Sequence, residues 1–201
     1  MYDDEFELTF DLSDEDEASR APEPEQEPVQ EAAPEPAAET EPQVEAVPEP
    51  AVPAANGRCV LISGGDRGIG AAAARAFWQA GYRVAVLYHT HAEAAAALEK
   101  ALPGLLAFQC DVASRASCEV AFHTVEQAVG HVDVLVSNAG IAQQKLFTDI
   151  TPEEWQHMLD VNLSGAFHLC QLALPGMIRR KAGRILTVSS MWGQTGGSCE
   201  V

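Results

Sequence analysis

The pattern of apolar and polar positions changes near Asn56, and from there short apolar runs alternate with amphipathic stretches. Residues 58–63 (RCVLIS) make an apolar run of strand length, the pattern of a strand buried on both faces. A glycine-rich turn follows. Residues 71–80, rich in alanine, then predict a helix closed by Gly81 just past its C-cap. Residues 83–88 (RVAVLY) predict a second strand, and 92–101 a second helix ended by Pro103-Gly104. A third strand is expected over 105–109, a third helix over 114–129 with Gly130 behind it, and a fourth strand over 132–136. Thr151-Pro152-Glu153-Glu154 supplies a cap, a proline at the first helical position and a glutamate at the third, which predicts a long helix from Pro152 toward Gly176. Residues 184–188 predict a fifth strand. Strands and helices alternating at this spacing call for βαβ units. The fold class is therefore α/β with a parallel sheet, of which five strands are visible.

Composition divides the chain at the same place. Of the 30 acids, 18 lie in residues 1–56 beside a single base, Arg20, which leaves twelve acids against eleven bases in 57–201. The net charge of −18 therefore belongs almost wholly to the first segment. Nine of the twelve prolines fall between Pro22 and Pro53, interleaved with Glu, Ala and Gln. Such a segment buries too little apolar surface to offset its ordering entropy, so residues 1–56 are expected to be a disordered acidic tail ahead of a domain over 57–201. Residues 1–20 alternate acids with Tyr2, Phe6, Leu8, Phe10 and Leu12, a pattern open to either a docking motif or a solvated leader, so any tail partner is undefined.

The nearly neutral domain gives no electrostatic reason to expect nucleic acid or an anionic membrane as partner. No apolar run reaches the roughly 18 residues of a membrane span. The first residues are acidic and lack the apolar core of a secretion signal, so a cytoplasmic protein is expected. None of the five cysteines (Cys59, Cys110, Cys118, Cys170, Cys199) forms a C-x-x-C pair, which favours reduced thiols over a disulfide framework, and no metal site is expected.

Ser63-Gly64-Gly65-Asp66-Arg67-Gly68-Ile69-Gly70 lies between the first expected strand and helix. Glycines permit a tight turn and close approach of backbone to a pyrophosphate, and the helix N-terminus presents free N–H groups to phosphate oxygens. A purely structural glycine turn is the alternative. With Gly64, Gly68 and Gly70 spaced Gly-x-x-x-Gly-x-Gly in this context, the sequence resembles the classical short-chain dehydrogenase/reductase family, and within it the 3-oxoacyl-[acyl-carrier-protein] reductases. Ser63 stands where that family usually has threonine.

The resemblance, which covers residues 58–201, implies a Rossmann-like doubly wound parallel sheet represented by its first five strands, and a nicotinamide cofactor held by Gly64, Asp66, Arg67, Gly68, Ile69 and Gly70, with Tyr88 at the end of the second strand. NADP is expected over NAD. The second strand runs into Leu87-Tyr88-His89-Thr90-His91 without the acid that binds a ribose diol, and the Arg67 guanidinium suits a 2′-phosphate. His89 and His91 can add to that contact, although exposed loop histidines are the plainer reading. Asp111-Val112 matches the pair that contacts adenine, with an N-capping role near Ser114 as the alternative for Asp111. Asn138-Ala139-Gly140 matches the segment beside the nicotinamide ribose, and Ser137 departs from the usual asparagine before it.

Reduction of a carbonyl by hydride requires the nicotinamide to be placed, the oxygen polarised and a proton delivered. The family uses a serine, a tyrosine and a lysine for this, with an asparagine on the long helix. Asn162 and Ser190 match the asparagine and the serine, Ser189 being the rival for the latter. The Tyr-x-x-x-Lys pair should follow the serine by roughly a dozen residues, so the sequence reads as a chain stopping short of its own catalytic tyrosine. The resemblance implies NADPH-dependent reduction of a small-molecule or carrier-bound carbonyl, foremost a 3-oxoacyl-carrier thioester of fatty acid biosynthesis, in a protein that is a dimer or tetramer when full length. Lys145-Leu146-Phe147 and the loop from Ser189 to Val201 also resemble a branch that reduces an aminopentanone group on elongation factor P. A reading of another class is a non-catalytic nucleotide-binding scaffold that docks through the acidic tail.

Overall fold

The computed structural model describes residues 55–191; residues 1–54 of the expected tail and residues 192–201, including Cys199, lie outside the described residues. Five parallel strands form one sheet: β1 (Cys59–Ser63), β2 (Arg83–Tyr88), β3 (Leu106–Gln109), β4 (Val134–Ser137) and β5 (Arg184–Thr187), in the order β3-β2-β1-β4-β5. Between them run α1 (Gly68–Gln79), α2 (Ala92–Ala101), α3 (Arg115–Val129), α4 (Pro152–Leu159) and α5 (Gly165–Arg180), with one turn of π-helix, Asp160–Ser164, joining the last two.

Strand periodicity splits the core into two layers. Along β1, Cys59 and Leu61 point into one layer, where Leu87, Leu135, Phe122, Val125 and Leu169 join them. Val60 and Ile62 point into the other, with Val84, Val86, Trp78, Leu98 and Val136. Helices α3 and α5 therefore cover one face of the sheet, while α1 and α2 cover the other. Such two-sided cover explains why β1 reads as a continuous apolar run rather than an alternating one. In register, Leu61 lies beside Ala85 of β2 and Leu135 of β4, and all three are fully buried. The thiols of Cys59, Cys110, Cys118 and Cys170 are free, and burial pushes that of Cys59 up to about 12, which makes it a packing group rather than a reactive one.

The structure moves several expected boundaries. Helix α1 begins at Gly68, three residues ahead of the alanine run. Propensity disfavours Gly-Ile-Gly in a helix, but packing of Gly70 under the turn brings those residues into the first helical turn. Strand β4 begins at Val134 rather than at 132, because the Asp133 carboxylate accepts the Cys59 N–H at 2.9 Å and stands in for a ladder bond. The long helix is not continuous and does not end at Gly176. It is interrupted by the π turn and runs on through Pro175 and a buried Gly176 to Arg180, closed by Lys181 in the left-handed conformation at φ 52°. Here tertiary contacts outrank the stop signals, since Met177, one residue past Gly176, is buried in the core. Gly183 then passes so close to Met177 that a Cβ would lie 2.4 Å from its Cγ, which draws the end of α5 onto the start of β5.

Leu61 joins three strands at the centre of the sheet, so Leu61→Ala leaves a cavity that neither layer can close. The expected loss is about 2–5 kcal/mol of unfolding free energy, read from the urea midpoint at unchanged slope.

Candidate functional site

The order of the sheet reverses between β1 and β4, and the turns leaving both strands open on the same edge, the place where doubly wound sheets form a crevice. Two residues tie these strand ends together. The Ser63 hydroxyl accepts the N–H groups of Asn138 and Ala139, both at 3.0 Å, and donates to the carbonyl of Val136 at 3.5 Å. In return the Asn138 amide donates to the carbonyls of Ser63 at 3.0 Å and Gly64 at 2.9 Å. Asn138 is one half of this brace and Ser63 the other.

The glycines act through what they leave out. A Cβ on Gly70 would lie 2.1 Å from the Gly64 carbonyl oxygen and 2.6 Å from the Asn138 amide nitrogen, so no side chain fits there. Gly64 and Gly68 have φ of 60° and 53°, the left-handed region open to glycine. A Cβ on Gly68 would meet nothing within 4 Å, so the turn is tight underneath and open above. Arg67 caps α1 through its backbone alone, with no side-chain cap and no acid in the first turn, so the N–H groups and positive end of the helix dipole are left for an anion.

A cleft of about 500 Å³ lies over this edge. Of the expected site residues, Gly64, Asp66, Arg67, Gly68, Ile69, Tyr88, Asp111, Val112, Asn138, Ala139 and Gly140 line it. Gly70 lies buried beneath the turn. Asn162 sits at the rim in the π turn, where its side-chain oxygen accepts the Ile141 N–H at 2.8 Å and its amide donates to the Ile141 carbonyl at 2.9 Å. The π turn brings that side chain against Gly140, whose Cβ would lie 3.2 Å from it. Ser190 lies beyond the end of β5, is exposed, and is not among the residues lining the cleft. The pairing of β5 with β4 continues as far as Val188, whose N–H donates to the Ser137 carbonyl at 2.9 Å, and this sets the following serines on the same edge of the sheet.

Asp111 is not the N-cap of α3. Ser114 takes that position and accepts the Ser117 N–H, while one Asp111 oxygen accepts the Ala113 N–H at 3.0 Å. This fixes the carboxylate at the cleft wall. Behind it, Gly165 lets α5 approach Val112 so closely that a Cβ would lie 2.9 Å from the valine, and His168 Nδ1 donates to the Val112 carbonyl at 3.1 Å.

Sequence reasoning missed His157, Val161, Ile141, Thr90 and Cys110 as lining residues and left His89 and His91 as loop residues. His91 lies between two residues of the turn, its Nδ1 3.7 Å from Asp66 and its Nε2 3.0 Å from Arg67. The available signal was topological, since a loop leaving β2 opens on the same edge as the turn leaving β1. Opposite them, the segment leading to α4 is held by Glu154, which accepts the Thr151 N–H at 2.8 Å and both donations of the Lys145 ammonium at 2.8 and 2.9 Å. The lysine, then the Thr151 N–H, hold the Glu154 carboxyl below its ordinary value of 4.5. Among the described residues no cluster of His, Cys, Asp or Glu suits a metal ion, and no helix is long and apolar enough to cross a membrane.

The cleft can hold an extended, phosphate-bearing nucleotide: an anion at the α1 N-terminus, a hydrogen-bond donor at Asp111, and a ring against Asn138–Gly140. The family model described as short chain dehydrogenase matches residues 58–201. An acetoacetyl-CoA reductase of Shinella zoogloeoides is 40% identical over 139 residues, covering 69% of this chain and 57% of that protein. The 3-oxoacyl-[acyl-carrier-protein] reductase MabA of Mycobacterium avium is 39% identical over 144 residues, 70% of this chain and 53% of that protein. A solved structure titled crystal structure of gox2181 superposes with a TM-score of 0.64 at 31% identity, over 68% of this chain and 55% of that one. The chain thus spans somewhat over half the length of these relatives.

Two outcomes follow from this geometry. Gly70→Ala should abolish nucleotide binding by equilibrium dialysis, because its methyl cannot coexist with the Gly64 carbonyl. Glu154 has a folded pKa below its unfolded one, so its stabilisation is present above pH 4.5 and lost as pH falls through the folded value. Amides of residues 146–154 should exchange faster, after correction for intrinsic rates, as pH drops below 4.5, and Glu154→Gln should remove that dependence.

Proposed function

The chain belongs to the short-chain dehydrogenase family, and from that premise we propose that the whole protein is an NADPH-dependent reductase of 3-oxoacyl thioesters, carried on acyl carrier protein or on coenzyme A. The observation that carries this reading is the convergence, on one edge of the sheet, of the glycine turn, Asp111-Val112 and Asn138–Gly140 in a single cleft. The names of the relatives support the substrate class, since acetoacetyl-CoA and 3-oxoacyl-carrier thioesters share the 3-oxo group next to a thioester.

The residues present fit a nicotinamide dinucleotide, because the cradle over Gly64, Gly68 and Gly70 is one that any Cβ at Gly70 would close. When bound, such a cofactor supplies the hydride. The chain's own groups bind that cofactor and polarise the carbonyl, and the proton for its oxygen is assigned to the tyrosine of the family's Tyr-x-x-x-Lys pair. The first N–H groups of α1 bind the pyrophosphate, and Asp111 accepts from the adenine amino group. Arg67 meets the 2′-phosphate. Asn138 braces the ends of β1 and β4 so that the wall at Ala139 and Gly140 stays in place. Ser190 donates to the substrate carbonyl oxygen as negative charge gathers there. Asn162 is a positioning residue in this reading, holding Ile141, and with it the Gly140 wall, by two hydrogen bonds.

In the whole protein a second copy is the partner that suits the α4–α5 side, where Trp155, Leu163, Phe167, Leu174 and Ile178 are exposed. The test is the protein from its natural source, its intact mass measured first, assayed for loss of reduced-nicotinamide absorbance with acetoacetyl-CoA and a 3-oxoacyl-carrier thioester. Turnover with thioesters is expected, and Ser190→Ala should lower kcat by about 10²–10³-fold. Turnover only on aminopentanone-modified elongation factor P would move the substrate to that branch. Nucleotide binding without turnover on either would leave a non-catalytic scaffold.

A further inference from the structure

The loop after β2 carries no acid, yet the structure brings one to it. The Gly65 N–H donates to the Leu87 carbonyl at 3.1 Å, and a Cβ on Gly65 would lie 2.6 Å from Val86, so the glycine turn is seated on the end of β2. Asp66, the next residue, is 9% exposed and lines the cleft. Its Oδ2 is buried without a hydrogen-bond partner among the described residues. A largely buried carboxylate at the wall of a cleft, with one oxygen that accepts no hydrogen bond, is a place for a ligand donor.

His91 does not hydrogen-bond it. Guanidinium nitrogens only donate, so in the 3.0 Å contact with Arg67 Nη1 it is His91 Nε2 that accepts. The ring's Nδ1 is 3.7 Å from Asp66 Oδ2, beyond hydrogen-bonding distance, and 3.3 Å from the Thr90 hydroxyl. One of the Arg67 donors is thereby engaged by the His91 ring, while Asp66 Oδ2 beside it accepts no hydrogen bond.

We propose that Asp66 is a specificity-determining residue that reads the 2′ position of the adenosine ribose. Its unpartnered oxygen accepts a free 2′-hydroxyl, and its charge opposes a 2′-phosphate. The site therefore takes NADH as well as NADPH. An acid at the end of β2 does this in sites selective for the unphosphorylated cofactor. Here the acid reaches the same strand end from the turn, beside the arginine that favours the phosphate. The inference rests on the nicotinamide reading above and refines its cofactor.

The test is binding rather than turnover. NADH and NADPH share everything except the 2′-phosphate, so the ratio of their dissociation constants for the 201-residue chain isolates that subsite. Titration by nucleotide fluorescence at pH 8 keeps the phosphate doubly ionised, its second pKa being about 6. The parent chain should bind the two within about tenfold of each other, and Asp66→Asn should shift the ratio toward NADPH by about tenfold or more. Asp66→Ser should shift it in the same direction, with folding of each variant checked by circular dichroism; if neither folds, the parent ratio decides. Parent binding of NADPH about a hundredfold tighter than NADH would overturn the inference, as would a ratio unmoved in both variants. Failure of the parent to bind either nucleotide would overturn the nicotinamide reading and this inference together.

Discussion

The Ser63 hydroxyl and the Asn138 amide hold together two strand ends that the sheet would otherwise let diverge. Strands β1 and β4 are far apart in sequence, and their following turns leave in different directions because the sheet reverses order between them. Five polar contacts bind the two ends: two N–H donations into the serine, the serine's own onto Val136, and two amide donations onto the carbonyls of Ser63 and Gly64. Backbone groups that would face each other unpaired at the end of a buried ladder are thereby satisfied. Gly70 is fitted against this junction, with no room for a Cβ beside the Gly64 carbonyl and the Asn138 amide. The shape of the turn, the direction of α1 and the wall at Ala139–Gly140 all depend on it.

The layers of the fold were legible because both faces of the sheet are covered. Continuous apolar runs and a regular strand–helix spacing are what a doubly covered parallel sheet demands, and all five strands lie where those runs are. What sequence reasoning misplaced were features decided by tertiary contact. The start of α1 is set by packing at Gly70, against the propensity of Gly-Ile-Gly. The end of α5 lies past Pro175-Gly176 because the helix continues to bury Met177. The π turn at Asp160–Ser164 has no compositional mark, being a matter of which carbonyl each N–H finds.

The site was legible in the same uneven way. Its glycines, Asp111 and Asn138 have a fixed relation to strand ends, and a strand end can be found from the pattern. The contact of His91 with Asp66 and Arg67 could not be found by inspecting the end of β2, because the acid comes from another turn. A search for charge along the chain looks for the residue, whereas the ligand meets the place. In this cleft the two differ, and the plainer reading of His91 as an exposed loop residue is true of its accessibility and incomplete about its neighbours.

The π turn also has a consequence for the phase of the helical rod that carries it. Each residue of an α-helix advances the side chain by about 100°, so one residue accommodated in a wider turn offsets everything ahead of it by that angle relative to everything behind. The faces of α4 and α5 are therefore not one stripe on one rod. The cleft-lining His157 on one side of the offset and the core residue Leu169 on the other keep their separate directions only because Asp160–Ser164 absorbs the difference. Deleting a single residue from that turn would restore a regular α-helix and swing α4 around its own axis, turning His157 from the cleft while Leu169 stayed seated in the core.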